Sequence, residues 1–205
     1  MKNIIFYIFI ILTFCNCENK KENYNLSTGK IKDINEVVEA VIIQDSLNVF
    51  SKNEDSIMFC SELIKLNIYI PPKKTNDDFV LLPKQDGIYI TNLVPTKIKG
   101  VTFFSSKDSL YLLKQNSNPK KLKIEKAIID KLNATTIEKI EKRRENKQRS
   151  RFYEMTIPVF SLDRQSAYVQ LDYECGGLCG NGDVIYLKKI KGKWQIIVQW
   201  QSWIS

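Results

Sequence analysis

The chain predicts an α+β fold, with N-terminal and central helices packed on an antiparallel β-meander formed by the C-terminal third. Three observations carry this. Val37, Val38, Val41 and Ile42 recur at helical spacing behind Ile34. From Phe152 onward the apolar period changes to two. The period-two segments are joined by short turn signals, of which Lys191-Gly192 is the tightest, so consecutive strands pair antiparallel.

Composition narrows the chemistry before any motif does. The 205 residues are 43% apolar and 11% aromatic, which suits one globular domain with a substantial core. There is no histidine. That removes Ser-His and Cys-His nucleophile pairs and the usual zinc sites, leaving Asp, Glu, Lys or Tyr for any general base. The sequence therefore assigns no catalytic residue, no metal and no cofactor. The formal charge is +8, and residues 114–151 hold much of the excess.

The first residues read as an export signal. Lys2 precedes an apolar run from Ile4 to Phe14, too short to span a bilayer, and the polar residues 18–25 follow. Cys15 and Cys17 stand at the end of the run. This arrangement resembles a bacterial lipoprotein signal, and the resemblance implies a diacylated cysteine as first mature residue. Cys17, after the small Asn16, is the favoured anchor and Cys15 the alternative. The expected organisation is a signal peptide over 1–16, a flexible tether over 17–32 and a single α+β domain over 33–205. The expected location is the bacterial cell envelope, held to a membrane by the N-terminal lipid. A basic surface there meets an acidic polymer, anionic headgroups or an envelope protein. Nucleic acid is not an expected partner, because residues 139–151 lack interleaved aromatics.

Each element follows from local pattern. Asp33 with Glu36 three residues on makes a capping box for the first helix, which ends near Leu47–Phe50. Leu66, Ile68 and Ile70 alternate as a strand that Pro71-Pro72 stops. Short strands are expected at 79–82, 87–91 and 101–104 around polar turns. Ser106 offers a cap for a short helix carrying Leu110, Leu112 and Leu113, with a strand as the alternative. Ile124, Ile128 and Leu132, four apart, mark a helical segment through 120–150, interrupted near Asn133 and recapped by Thr135 with Glu138. Its apolar-free end, 141–150, reads as a solvated charged face.

In the meander, Tyr153, Met155, Ile157 and Val159 share one face, and Pro158 suits a strand end. Ala167, Val169, Leu171 and Tyr173 face one way with Gln170, Asp172 and Glu174 opposite. A third strand is expected over 184–190, and a fourth in which Trp194, Ile196, Val198 and Trp200 line one face.

The candidate site lies beside the stretch Cys175-Gly176-Gly177-Leu178-Cys179-Gly180, with Gly182 close behind. Two cysteines this close oxidise to a disulfide outside the cytoplasm and staple two strands. Redox, metal and anion-nest readings of the same loop stand beside the staple. Asp172, Glu174 and Asp183 are the ligand-binding carboxylates, with Trp203 as the aromatic most exposed for stacking. Polar residues of a half-exposed sheet show the same pattern. Two functions follow: a non-enzymatic binding or interaction module, or a hydrolase or sugar-processing enzyme using those carboxylates. Carboxyls with raised pKa in a pocket beside the cysteine loop would favour the second.

The pattern Phe160-Ser161, the cysteine-glycine loop, Gly192-Lys193-Trp194 and Trp203-Ile204-Ser205 resembles small uncharacterised exported bacterial proteins over roughly the last quarter of the chain, and implies no particular activity. Helices followed by a meander are also similar to the cone-shaped NTF2-like domains, which implies a ligand site in a concave sheet.

Overall fold

The first helix is capped earlier than its sequence predicts. In the computed structural model, which describes residues 26–53, 55–72, 87–177 and 179–205, α1 spans Thr28–Gln44, and the Ser27 hydroxyl oxygen accepts from the Lys30 N–H at 3.3 Å. Residues 28–32, expected in the tether, thus form its first turns. Asp33 is not the cap. Its carboxylate is buried, 5% exposed, and meets Lys189 Nζ at 2.6 Å and Arg164 at 3.1 Å, both from the sheet side. A capping aspartate and one that neutralises a cation brought from afar look alike in sequence. The leader and the expected strand at 79–82 lie outside the described residues.

The remaining elements run in chain order as β1 (Met58–Cys60), β2 (Glu62–Ile64), β3 (Asn67–Tyr69), β4 (Gly87–Tyr89), α2 (Ile90–Leu93), β5 (Lys97–Ile98), β6 (Val101–Thr102) and α3 (Ser109–Lys114). The second half gives β7 (Lys121–Lys123), α4 (Lys126–Ile129), β8 (Ala134–Thr135), α5 (Ile137–Glu145), β9 (Phe152–Met155), β10 (Val159–Phe160), β11 (Ser166–Glu174), β12 (Gly180–Ile190) and β13 (Lys193–Ile204). This is the α+β class the sequence predicts. The main sheet is seven-stranded, ordered β13-β12-β11-β9-β1-β8, with β10 beside β11. Strands β9 and β11–β13 pair antiparallel, while β1 enters parallel between β9 and β8 and makes the sheet mixed.

Alternation along β11 sorts the core onto two faces. Val37, Val38, Val41 and Ile42 of α1 pack on Ala167, Val169, Ile185 and Leu187. Each fully buried Val, Leu or Ile side chain among these contributes roughly 1.5–3 kcal/mol. The opposite face is covered as well, contrary to a half-exposed sheet. Leu66, Ile68, Leu93, Phe103, Phe104 and Leu112, from the irregular first half, pack on Tyr168, Val184 and Tyr186. Within α3, Leu112 is buried and Leu110 is exposed, and the short helix is preceded by a capping box of Ser105 with Asp108 rather than a cap at Ser106.

Residues 120–150 are not one interrupted helix. β7 pairs with β2, α4 is a single turn, β8 joins β1, and only α5 is helical for more than two turns. Ile124, Ile128 and Leu132 are all buried in the core, as their spacing demands, but a strand end and a short turn satisfy that spacing. Thr135 lies in β8, and Thr136 caps α5 by accepting from Lys139 N–H at 3.4 Å. β12 begins at Gly180, ahead of the expected 184, because glycines carry no alternation signal.

A register shift between Tyr186 and Leu187 corrects the last strand. An extra residue in β13 flips its parity. Trp194 and Ile196 therefore face α1, while Val198 and Trp200 lie on the Tyr186 face.

Candidate functional site

The cysteine loop closes as a staple. Cys175 and Cys179 are disulfide-bonded with Cα atoms 5.3 Å apart, and the Cys175 N–H donates to the Cys179 carbonyl at 3.2 Å. Gly176 and Gly177 hold φ of +87° and +64°, which a side chain would resist. The ring therefore ties the end of β11 to the start of β12. It leaves the two glycines exposed at the mouth of a groove.

That groove is an open cleft of about 1320 Å³. One wall is the last turn of α5 and the segment after it, contributing Arg143, Arg144, Lys147, Arg149 and Arg151. The other is the disulfide loop with Glu174 and Trp203, and Met58 lies on the lining between them. Asp55 and Glu174 are the acidic side chains among the described lining residues. The Arg144 guanidinium pairs with Glu174 and sits 5.8 Å over the Phe152 ring, and Arg151 donates to the Asp55 carbonyl. No ion pair between described residues engages Arg143, Lys147 or Arg149. The apolar-free segment 141–150 is exposed along most of its length, as expected, and several of its cations also wall the cleft. Ile140, buried against Phe152, Met58 and Cys60, fixes α5 on the sheet so that its last turn overhangs.

Trp203 is half-buried rather than exposed. Its ring spans the two glycines at the start of β12: a Cβ at Gly180 would lie 3.1 Å from its six-membered ring, and one at Gly182 would lie 1.8 Å from Nε1. The glycines let an aromatic lie on the strand where any side chain would lift it. The indole N–H donates to Asp172 Oδ1 at 2.8 Å. Trp200, expected in core or inter-strand packing, is 42% exposed and packs one face on Tyr186 of the neighbouring strand, with ring centroids 5.0 Å apart.

The three expected carboxylates separate. Asp172 and Glu174 lie on the face that α5 covers, and Glu174 lines the groove. Asp183 pairs with Leu171 in register and so lies on the α1 face, where its charge acts on Asp45. A partner the sequence did not single out takes its place. Glu154 of β9 stands directly opposite Asp172 in register. Burial, then the charges of Glu174 and Asp172, push the Glu154 carboxyl up to about 7. Burial pushes Asp172 up to about 6, with the Trp203 hydrogen bond opposing. Beside them the thiol of Cys60, buried and unpaired, is pushed far above its ordinary range by burial. The available signal for Glu154 was a lone charge inside a strand whose neighbours pair on both sides.

Chemically, the cleft presents cations without ion-pair partners among the described residues, together with Trp203 and the glycine loop, to whatever enters. Asp172 and Glu154 can hold a proton near neutral pH, yet neither lines the groove; Trp203 connects them to it. No group of three or more His, Cys, Asp or Glu among the described residues is placed to hold a metal. Comparison with protein-family models, with curated proteins and with solved structures yields no match.

Proposed function

We propose that the protein is an exported, lipid-anchored binding module of the cell envelope that holds an acidic polymer in the groove between α5 and the Cys175–Cys179 loop. The observation that carries the reading is the groove's charge: Arg143, Lys147 and Arg149 face it without ion-pair partners among the described residues. A concave surface lined by one sign of charge focuses potential and draws in the opposite sign. The disulfide supports maturation in an oxidising compartment. The lipoprotein-like leader supports an anchor at Cys17, with Cys15 as the alternative, and a membrane-held module meets acidic polymers of the envelope at high local concentration. Titrating a sulfated dextran oligomer into the purified domain tests the reading. Binding that weakens steeply with added salt, and by roughly tenfold or more in R143A/R149A, is the expected result. No binding at low salt, or equal binding by the variant, would refute it. Mass spectrometry of the protein from its native cell tests the anchor, which predicts a diacylated N-terminal cysteine.

A second reading rests on the raised carboxyls of Asp172 and Glu154: a hydrolase whose acid is exposed when Trp203 swings off the sheet. It requires the 2.8 Å indole bond to break, so the binding reading is preferred.

A further inference from the structure

Ion pairing in the groove is tied to the carboxyls behind it. Glu174 spends its charge on Arg144, which reaches across from α5. Two residues back on the same strand face is Asp172, and across from Asp172 is Glu154. This places three carboxyl groups side by side on one sheet face. We infer that an anion taken up at Arg144 displaces Glu174 and draws one proton from solvent into the Glu154–Asp172 pair, so that ligand binding and protonation reinforce each other. The inference rests on the groove reading above and names how that site is regulated.

The neighbours of the pair leave few other ways to balance the charge. On β1 the facing group is the Cys60 thiol, neutral at any working pH. Lys121 of β7 also acts on Glu154, but it is held by Glu62 of β2 and Glu138 of α5. From β13 there is the Trp203 N–H, already given to Asp172. Tyr168 and Gln170, on the same face of β11, bond to each other. Asp183 adds negative charge from the far side of the sheet. Once Arg144 turns to a ligand, Glu174 faces Asp172 and Glu154 uncompensated, and like charges this close favour taking up a proton. Both carboxyls already lean that way through burial. The chain has no histidine, so no imidazole competes for the proton near neutrality. Coupling of this kind is reciprocal: protonating the pair frees Arg144 for the ligand by the same factor.

Calorimetry of the full mature protein with a sulfated dextran oligomer, whose charge is fixed between pH 5.5 and 8, reads the coupling directly. Run near pH 6.5 in two buffers of different ionisation enthalpy, the wild type is expected to take up about half a proton per ligand bound, the most that a one-unit shift in the pair's pKa delivers. Its affinity should fall roughly tenfold from pH 5.5 to 8, the limit for a one-unit change in the pair's pKa. E154Q/D172N keeps the shape of both side chains and an oxygen acceptor for Trp203. It should bind with no buffer dependence and an affinity flat with pH. E154Q alone, which leaves the Asp172–Trp203 bond untouched, should lose most of the uptake. Wild-type binding without proton uptake would overturn the coupling and leave the groove reading standing. Uptake that persists undiminished in the double variant would also overturn it. No binding at any pH would overturn the groove reading, and the coupling with it.

Discussion

The indole N–H of Trp203 reaches Asp172 Oδ1 at 2.8 Å across the two glycines that open β12. One bond thus joins the last strand to the third from the edge, passing over a strand that has no side chains on that face at that point. It also orients the only tryptophan among the groove's described lining residues.

Gly182→Ala tests that packing. The new Cβ would stand 1.8 Å from Trp203 Nε1 and 2.3 Å from Asp172 Oδ1, so the indole must leave the strand. A loss of roughly 2–3 kcal/mol in unfolding free energy is expected, with a red shift in tryptophan emission. Gly176→Ala meets nothing within 4 Å and carries only the strain of its φ of +87°, so about 1 kcal/mol and no spectral change are expected there.

Stability should fall with pH through Glu154. Its folded pKa, about 7, lies above the ordinary carboxyl range. The unfolded chain therefore releases this proton first as pH rises, and the contribution is complete below about pH 4 and lost through pH 7. Between pH 5 and 8, denaturant titrations should show the wild type losing about 1–2 kcal/mol more than E154Q. Solvent access to the half-buried side chain keeps this below the full shift. Parallel losses in the two proteins would show that Glu154 ionises without penalty.

Cutting the staple removes a constraint on the unfolded chain. The C175S/C179S variant should lose about 2 kcal/mol, the loop-entropy value for so small a ring. Wild-type protein under reductant should match it. The groove wall loosens with it, so affinity for the sulfated oligomer should fall in the same variant.

Gln44, at the end of α1, donates to the Trp194 carbonyl at 2.9 Å and accepts from the Ile196 N–H at 3.0 Å. It therefore satisfies two backbone groups on the outer edge of β13, where no strand among the described residues follows. Gln44→Ala should cost roughly 1–3 kcal/mol and speed amide exchange at Ile196, with little effect at Tyr186 on the strand inside.

Periodicity made much of this fold legible. The stripe of α1 and the alternation of β11 each say which residues go inward, and both point to the core that forms. The staple was legible because two cysteines flank glycines in one short loop. The bulge at Tyr186/Leu187 was not, since one inserted residue changes parity without changing composition. That bulge moves Trp200 from the α1 face to the Tyr186 face, and a second register shift, between Gly182 and Asp183, puts Trp203 on the same side as Trp200. The segment 120–150 misled because apolar residues four apart satisfy a helix and also a strand followed by a single turn. Glu154 was missed because its charge reads as solvent-facing until the register sets it against Asp172. The groove itself depends on α5 docking through Ile140, a contact distant in sequence from the cysteine loop it faces.

The three tryptophans provide the most direct measurement of where an acidic ligand binds. Each gives one indole N–H resonance, and the three sit apart: Trp194 against α1, Trp200 beside Tyr186 and Trp203 in the groove. In a titration with sulfated dextran oligomer followed by ¹⁵N correlation spectra, the Trp203 indole resonance should move with saturation. Those of Trp194 and Trp200 should stay in place. Saturable binding that leaves Trp203 unmoved, or that moves Trp200 instead, would contradict a ligand site between α5 and the disulfide loop.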